Sequence, residues 1–161
     1  MANFISTIQD GILNELAALD RDQPGGYLRQ RTAFSGAALK QIIQALQLRA
    51  PAAVIAFKSA EIVGGPFQKR DDITLRFYIW CADFNLRGQQ AGLSGSGVSG
   101  EGPGSFQVVE DVISTLRHKR FTWAGRESLG VCFHGAEWIA AEEGLAIMRL
   151  ECSLVLPQVF G

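Results

Sequence analysis

Residues 71–85 read Asp-Asp-Ile-Thr-Leu-Arg-Phe-Tyr-Ile-Trp-Cys-Ala-Asp-Phe-Asn, and this stretch decides the fold. Its side chains alternate with a period of two, which predicts a long β-strand with one face on a core. The inward set is apolar and consists of Ile73, Leu75, Phe77, Ile79 and Cys81. The opposite set consists of Thr74, Arg76, Tyr78, Trp80 and Ala82. A solvated face would carry small polar or charged residues, so the two large aromatics predict a second packing surface.

The sequence leaves two possibilities for what covers this second surface. Tyr78 and Trp80 can lie beneath a helix of the same subunit. They can also be anchors of an interface with another subunit, a role in which Tyr and Trp are enriched. We take Tyr78, Trp80 and their neighbouring cation Arg76 as candidate interface residues.

The composition is that of a folded protein without a strong electrostatic bias. The 161 residues are 47% hydrophobic and carry a formal net charge of −1. This length predicts a single domain over 1–161, and the charge argues against sequence-specific nucleic-acid binding and against a membrane as partner. No apolar run approaches the roughly 20 residues of a membrane helix. The first residues lack signal-peptide features, so we expect synthesis and assembly in the cytoplasm.

Helical periodicity predicts about three helices. The first covers Asn3–Leu19, with Asn3 as its cap and with Gly11 inside it at a cost of roughly 1 kcal/mol. Ser35 is the predicted cap of the second and Ser105 that of the third. The inner face of the second helix is predicted to hold Leu39, Ile42, Ile43 and Leu46, and that of the third Phe106, Val109, Val112, Ile113 and Leu116.

Four further segments are predicted strands. Tyr27–Phe34 is a short edge strand, and Ala52–Ile62 pairs antiparallel with the 71–85 strand through a Gly-Pro turn. Leu129–Phe133 is short, and Leu145–Leu156 is long and stopped by Pro157. Without the marginal edge strand the order is α, α, β, β, α, β, β. This order predicts an α+β fold, in which an antiparallel or mixed sheet has the helices packed on it.

Residues 88–104 are dense in glycine and serine and predict a mobile surface loop that contacts a partner. Within it, 95–100 matches the letters G-x-G-x-x-G. A dinucleotide site needs a strand directly before this motif and a helix opening at it, and the sequence offers neither. We therefore take Gly95, Gly97 and Gly100 as candidate interface residues and expect no cofactor.

The residue types that carry chemistry are sparse. The two histidines, His118 and His134, have no Cys, Asp or Glu at ligand spacing, so no metal site is expected. Cys132 and His134 share a strand face, but nothing in the sequence marks an oxyanion hole or an orienting group. The three cysteines lie in apolar stretches and are predicted to be small buried hydrophobes. The sequence therefore predicts a protein that is not an enzyme.

The layout resembles the family of Mu-like prophage tail proteins. The segments that match are the helix Phe4–Leu19, the residues 49–57 (Arg-Ala-Pro-Ala-Ala-Val-Ile-Ala-Phe), the strand end at 78–88, the helix 108–116 and the closing strand Leu145–Leu156. These are loose patterns that cover nearly the whole chain. They contain no chemical signature, and the family offers no catalytic residues to carry over.

The resemblance implies a structural protein of a contractile phage tail or phage-derived tail, located in the virion. The element order is similar to that of tail terminator proteins, which form a ring, usually of six subunits, at the head-proximal end of the tail tube. The implied partners are further copies of the chain, the tail tube, the sheath and the neck or connector. The alternative is a small cytoplasmic enzyme or ligand-binding α+β domain, in which the glycine-rich loop is a lid.

Overall fold

The fold is built on one mixed sheet, seen in a computed structural model that describes residues 3–34, 41, 50–64, 71–84, 104–142 and 145–160. Its five strands are β1 Gln30–Phe34, β2 Ala52–Val63, β3 Asp71–Phe84, β6 Cys132–Glu142 and β7 Leu145–Phe160. In the sheet they lie in the order β1-β2-β3-β7-β6. β1 and β2 are parallel, and the other neighbours are antiparallel. The two short strands β4 Thr122–Trp123 and β5 Arg126–Glu127 form a separate hairpin.

The described residues contain two α-helices, α1 Phe4–Leu16 and α2 Ser105–Leu116. A short 3-10 turn, Ala17–Leu19, extends α1. Both helices lie on the same side of the sheet, called here the helix side, and their apolar faces meet the inward residues of β3 there. The α+β class and the mixed sheet are thus confirmed. No helix in the described ranges is long and apolar enough to span a membrane.

β3 confirms the alternation predicted for residues 71–85. Its five inward side chains, from Ile73 to Cys81, are all fully or almost fully buried in the main core. The antiparallel pairing of β2 with β3 is also as predicted. Asn3 caps α1, and its side-chain oxygen accepts a hydrogen bond from the Ser6 N–H at 2.8 Å. The predicted edge strand is present as β1.

The predicted element order is wrong in several places. It leaves out β1 and the β4-β5 hairpin. The strand predicted at Leu129–Phe133 begins at Cys132 and continues to Glu142. β7 passes through Pro157 to Phe160, because the pairing with β3 is irregular between Asp71 and Ile73, opposite this proline, and a proline is tolerated at such a bulge. The predicted second helix from Ser35 lies outside the described residues, apart from Gln41.

Two predictions for α2 also need correction. Its N-cap is Gly104, which has a φ of +87°, and Ser105 is the first helical residue. Phe106 is 42% exposed, whereas Val108 is buried and takes the inner position. Val109, Val112 and Leu116 are buried as predicted and Ile113 packs against the core, so the predicted face is right except at Phe106.

Two of the three cysteines are buried as predicted, and the third is not. Burial raises the pKa of Cys152 to about 12 and that of Cys81 further above its ordinary value, so neither is a thiolate at neutral pH. Cys132 is exposed because β6 lies at the edge of the sheet.

Candidate interaction surface

The side of the sheet opposite the helices, called here the outer face, contains the three strand residues that the sequence singles out. On β3 these are Arg76, Tyr78 and Trp80, and the register gives each of them two neighbours. These neighbours are Ser59 and Ser153 for Arg76, Ala56 and Glu151 for Tyr78, and Val54 and Arg149 for Trp80. The outer face therefore combines aromatic rings with charged groups from β7.

Arg149 connects the two aromatic rings. Its guanidinium carbon lies 4.3 Å from the ring centroid of Tyr78 and 5.2 Å from that of Trp80. The rings themselves meet edge to face, with centroids 6.2 Å apart. Cation–π contacts of this kind hold a guanidinium over an aromatic face and contribute about 0.5–1 kcal/mol at exposed sites. The side chains of this surface are therefore fixed relative to one another before any partner arrives.

Two ion pairs extend this arrangement along the sheet. Arg149 pairs with Glu137 of β6, and Lys58 of β2 pairs with Glu151 of β7. The hydrogen bond between Lys58 and Glu151 lowers the pKa of the carboxyl group and raises the pKa of the ammonium group. Because these groups are near solvent, the pairs contribute little to stability. They leave the outer face with both signs of charge and no dominant one.

Trp80 and Tyr78 differ in their exposure. Trp80 is only 4% exposed, in a second apolar cluster formed by Ala50, Ala52, Val54, Ala82 and Ile147. Its indole nitrogen is buried and has no hydrogen-bond partner among the described residues. The single chain therefore already covers Trp80. Tyr78 stays half-buried, so it and Arg76 are the predicted residues that remain accessible to a partner.

The two histidines are in different parts of the molecule. The ring of His134 is exposed on β6, and its Nε2 lies 2.6 Å from Oγ of Ser153. His118 follows the end of α2 with a φ of +64° and is not part of the outer face. The contact between the His134 imidazole and the Ser153 hydroxyl satisfies the hydrogen bonding of two polar groups on one sheet face. Because this is sufficient to explain it, we assign no chemistry to the contact. Within the described ranges, no three His, Cys, Asp or Glu side chains form a group that could hold a metal ion.

The remaining candidates, Gly95, Gly97 and Gly100, lie outside the described residues, as does the 88–104 loop up to Gly104. The structure adds Lys58, Arg149 and Glu151, which the sequence analysis did not select. Their alternate positions along β2 and β7 were a signal in the sequence that could have placed them on the outer face. Only the tertiary structure shows that they meet Tyr78: Lys58 and Arg149 lie over its ring, and Glu151 is its partner in the register.

Comparison with known proteins shows which fold this is. No protein-family model matches the chain, and no curated protein matches it, so membership of the Mu-like family stays a prediction. Among solved structures, the fold is similar to that of a chain in the virion of a native gene transfer agent particle. The match covers 97% of this chain and 98% of that chain, with a TM-score of 0.57 and 12% sequence identity. At this identity the likeness establishes a shared fold alone.

Proposed function

We propose that this chain is a structural protein of a phage or phage-derived particle, and that it is a tail terminator or tail-completion protein. The observation that carries the proposal is the end-to-end likeness to a chain of the gene transfer agent virion. Nearly the full length of both chains matches, so the likeness extends over the whole α+β fold and its long central strands.

In this role the protein forms a ring, with six subunits as in the terminators it resembles, at the head-proximal end of the tail tube. It acts by shape and catalyses no reaction. The outer face supports this, because Tyr78 and Arg149 are held in place by contacts within the chain and, like Arg76 on the same face of β3, still reach solvent. A rigid, partly exposed Tyr and Arg pair is typical of interface anchors. The partners proposed for this face are the tail tube, the sheath and the neck.

The test measures the mass of the protein by native mass spectrometry, alone and with purified tail tubes, and images the mixture by electron microscopy. We expect closed rings, and particles at one end of each tube. A chain that stays monomeric at high concentration in the presence of tubes would contradict the proposal.

Substitutions then test the role of the outer face in this assembly. Tyr78→Ser and Arg76→Ser are expected to weaken tube binding at least about fivefold, since interface anchors contribute about 1 kcal/mol or more. Thr74→Ser, on the same strand and face, is the matched control and is expected to bind as the wild type. Equal binding by all three variants would remove the outer face from the interface.

A further inference from the structure

The sheet ends on two strands that each pair on one side only, among the strands of the described residues. One is β1, with five residues, and the other is β6, with eleven. An edge strand presents unpaired N–H and C=O groups, which form a template for a strand of another chain. The sequence of β6 contains neither Lys nor Pro, the residues that most often block such pairing.

The strand directions make these two edges compatible. β1 runs parallel to β2, and three successive antiparallel pairings lead from β2 through β3 and β7 to β6. β1 and β6 therefore run in opposite directions. If β6 of one copy lies beside β1 of the next, the new pair is antiparallel, and the sheet continues from copy to copy. Such a head-to-tail contact closes into a ring when the rotation between the copies allows it.

The regular part of β6 matches β1 in length. The pairing of β6 with β7 is irregular between Phe133 and Gly135 and again between Trp138 and Ala140. Between these two points, the stretch from Gly135 to Trp138 is in regular register. Placed beside β1 of a second copy, these four residues can pair with almost the full length of that five-residue strand.

Trp138 is the prominent side chain on the β6 edge, with 52% of its surface exposed. It lies opposite Met148, which packs against the core on the helix side of the sheet. Trp138 therefore projects from the same side of the sheet as α1. An exposed ring of this size at an open edge is the kind of residue that anchors an interface.

The β1 edge carries an open groove on the helix side. This groove of about 640 Å³ follows the end of α1, and its charged lining consists of Arg21, Arg29 and Arg31 together with Asp20 and Asp22. Arg31 is engaged, because its Nε donates to Asp20 at 2.9 Å and one terminal nitrogen donates to the Leu13 carbonyl at 3.1 Å. Arg21 and Arg29 are exposed. Guanidinium groups bind aromatic faces, and Trp is the best acceptor for them.

We infer that the Gly135–Trp138 edge of one copy pairs with β1 of a second copy, and that Trp138 enters the groove beside Arg21 and Arg29. This inference rests on the proposed ring function and names the contact between its subunits. The complementary chemistry is an exposed indole on one edge and exposed guanidinium groups on the other.

The experiment uses two full-length variants, Trp138→Arg and Arg29→Glu, measured by native mass spectrometry over a range of concentrations. Trp138→Arg sets a like charge against Arg21 and Arg29, and Arg29→Glu removes the cation that the indole ring contacts. Each is expected to raise the concentration for half-assembly at least about tenfold. Because both positions are exposed, the unfolding temperature of each variant is expected to stay that of the wild type.

An equimolar mixture of the two variants provides the sharpest result. In a ring in which the two variants alternate, the arginine that replaces Trp138 in one variant meets the glutamate that replaces Arg29 in the other. The remaining contact joins an unchanged Trp138 to an unchanged Arg29, as in the wild type. We therefore expect mixed rings to assemble where neither variant does alone. Phe106→Arg, an exposed aromatic on α2 away from either edge, is the matched control and is expected to assemble normally.

The outcomes separate this inference from the function it rests on. If the wild type forms rings and both variants form them equally well, the edge contact is wrong while the ring role stands. If both variants fail and their mixture also fails, the pairing of these two positions is wrong. A wild type that never assembles, even with tail tubes, contradicts the ring role and the contact together.

Discussion

The carboxylate of Asp83, near the end of β3, accepts a hydrogen bond from the backbone N–H of Gly104 at 2.7 Å. The two residues are 21 positions apart and enclose most of the glycine-rich segment of the sequence. Asp83 is 2% exposed, and Gly104 is the N-cap of α2, where no side chain of the helix itself caps the first turn. The carboxylate therefore supplies the acceptor and the negative charge that a helix N-terminus favours.

Asp83→Ala is predicted to lower the free energy of unfolding by about 1–3 kcal/mol, because it leaves a buried N–H without its acceptor. Urea unfolding followed by circular dichroism measures this loss. The matched control is Asp10→Ala on the exposed side of α1, which is expected to cause no loss. Equal effects of the two substitutions would show that the Asp83 contact does not stabilise the fold.

Gly11→Ala is predicted to destabilise the protein although alanine is the better helix former. A Cβ atom at Gly11 would lie 2.7 Å from Cδ1 of Phe121, which is 9% exposed and has little room to move. We expect a loss of about 1–3 kcal/mol in the free energy of unfolding from this overpacking. On the exposed side of the same helix, Asn14→Ala is expected to add about 0.5 kcal/mol. A gain in the free energy of unfolding at both positions would mean that the Phe121 side chain moves aside without cost.

Tyr27 is predicted to make the fold sensitive to alkali. Its hydroxyl donates to Oδ2 of Asp111 at 2.6 Å, and burial together with this bond raises the pKa of Tyr27 well above its usual value of 10. The folded state therefore keeps a proton that the unfolded chain releases near pH 10. The contribution of Tyr27 is complete below that pH and falls above it, by at most about 1.4 kcal/mol per pH unit.

Tyr27→Phe is the variant that isolates this contribution. It is expected to cost about 1.5–3 kcal/mol at pH 8, since the lost bond has a charged acceptor. Urea unfolding from pH 8 to pH 11 is expected to show this difference shrinking above pH 10. The buried thiols of Cys81 and Cys152 weaken the fold in alkali in both proteins and so cancel in the comparison. A difference that stays constant with pH would contradict the prediction.

Local patterns in the sequence are sufficient for the elements that each have one clear face. The alternation of β3 gave all five of its core residues, and the cap at Asn3 gave the start of α1. Periodicity works there because the inward positions are apolar without exception. In α2 it placed Val109, Val112 and Leu116 correctly. It was wrong at Phe106, because Phe106 and Val108 are both apolar and only packing decides which one is buried.

Other features depend on pairing between distant strands, which no local pattern contains. The contact of Arg149 with Tyr78 needs β7 beside β3 in one register, and the exposure of Cys132 and Trp138 needs β6 at the sheet edge. The sequence by itself determined that Tyr78 and Trp80 lie together on the side of the strand opposite its core-facing residues. Only the tertiary structure decided that Trp80 is covered by its own chain while Tyr78 stays accessible, because burial is set by which elements meet.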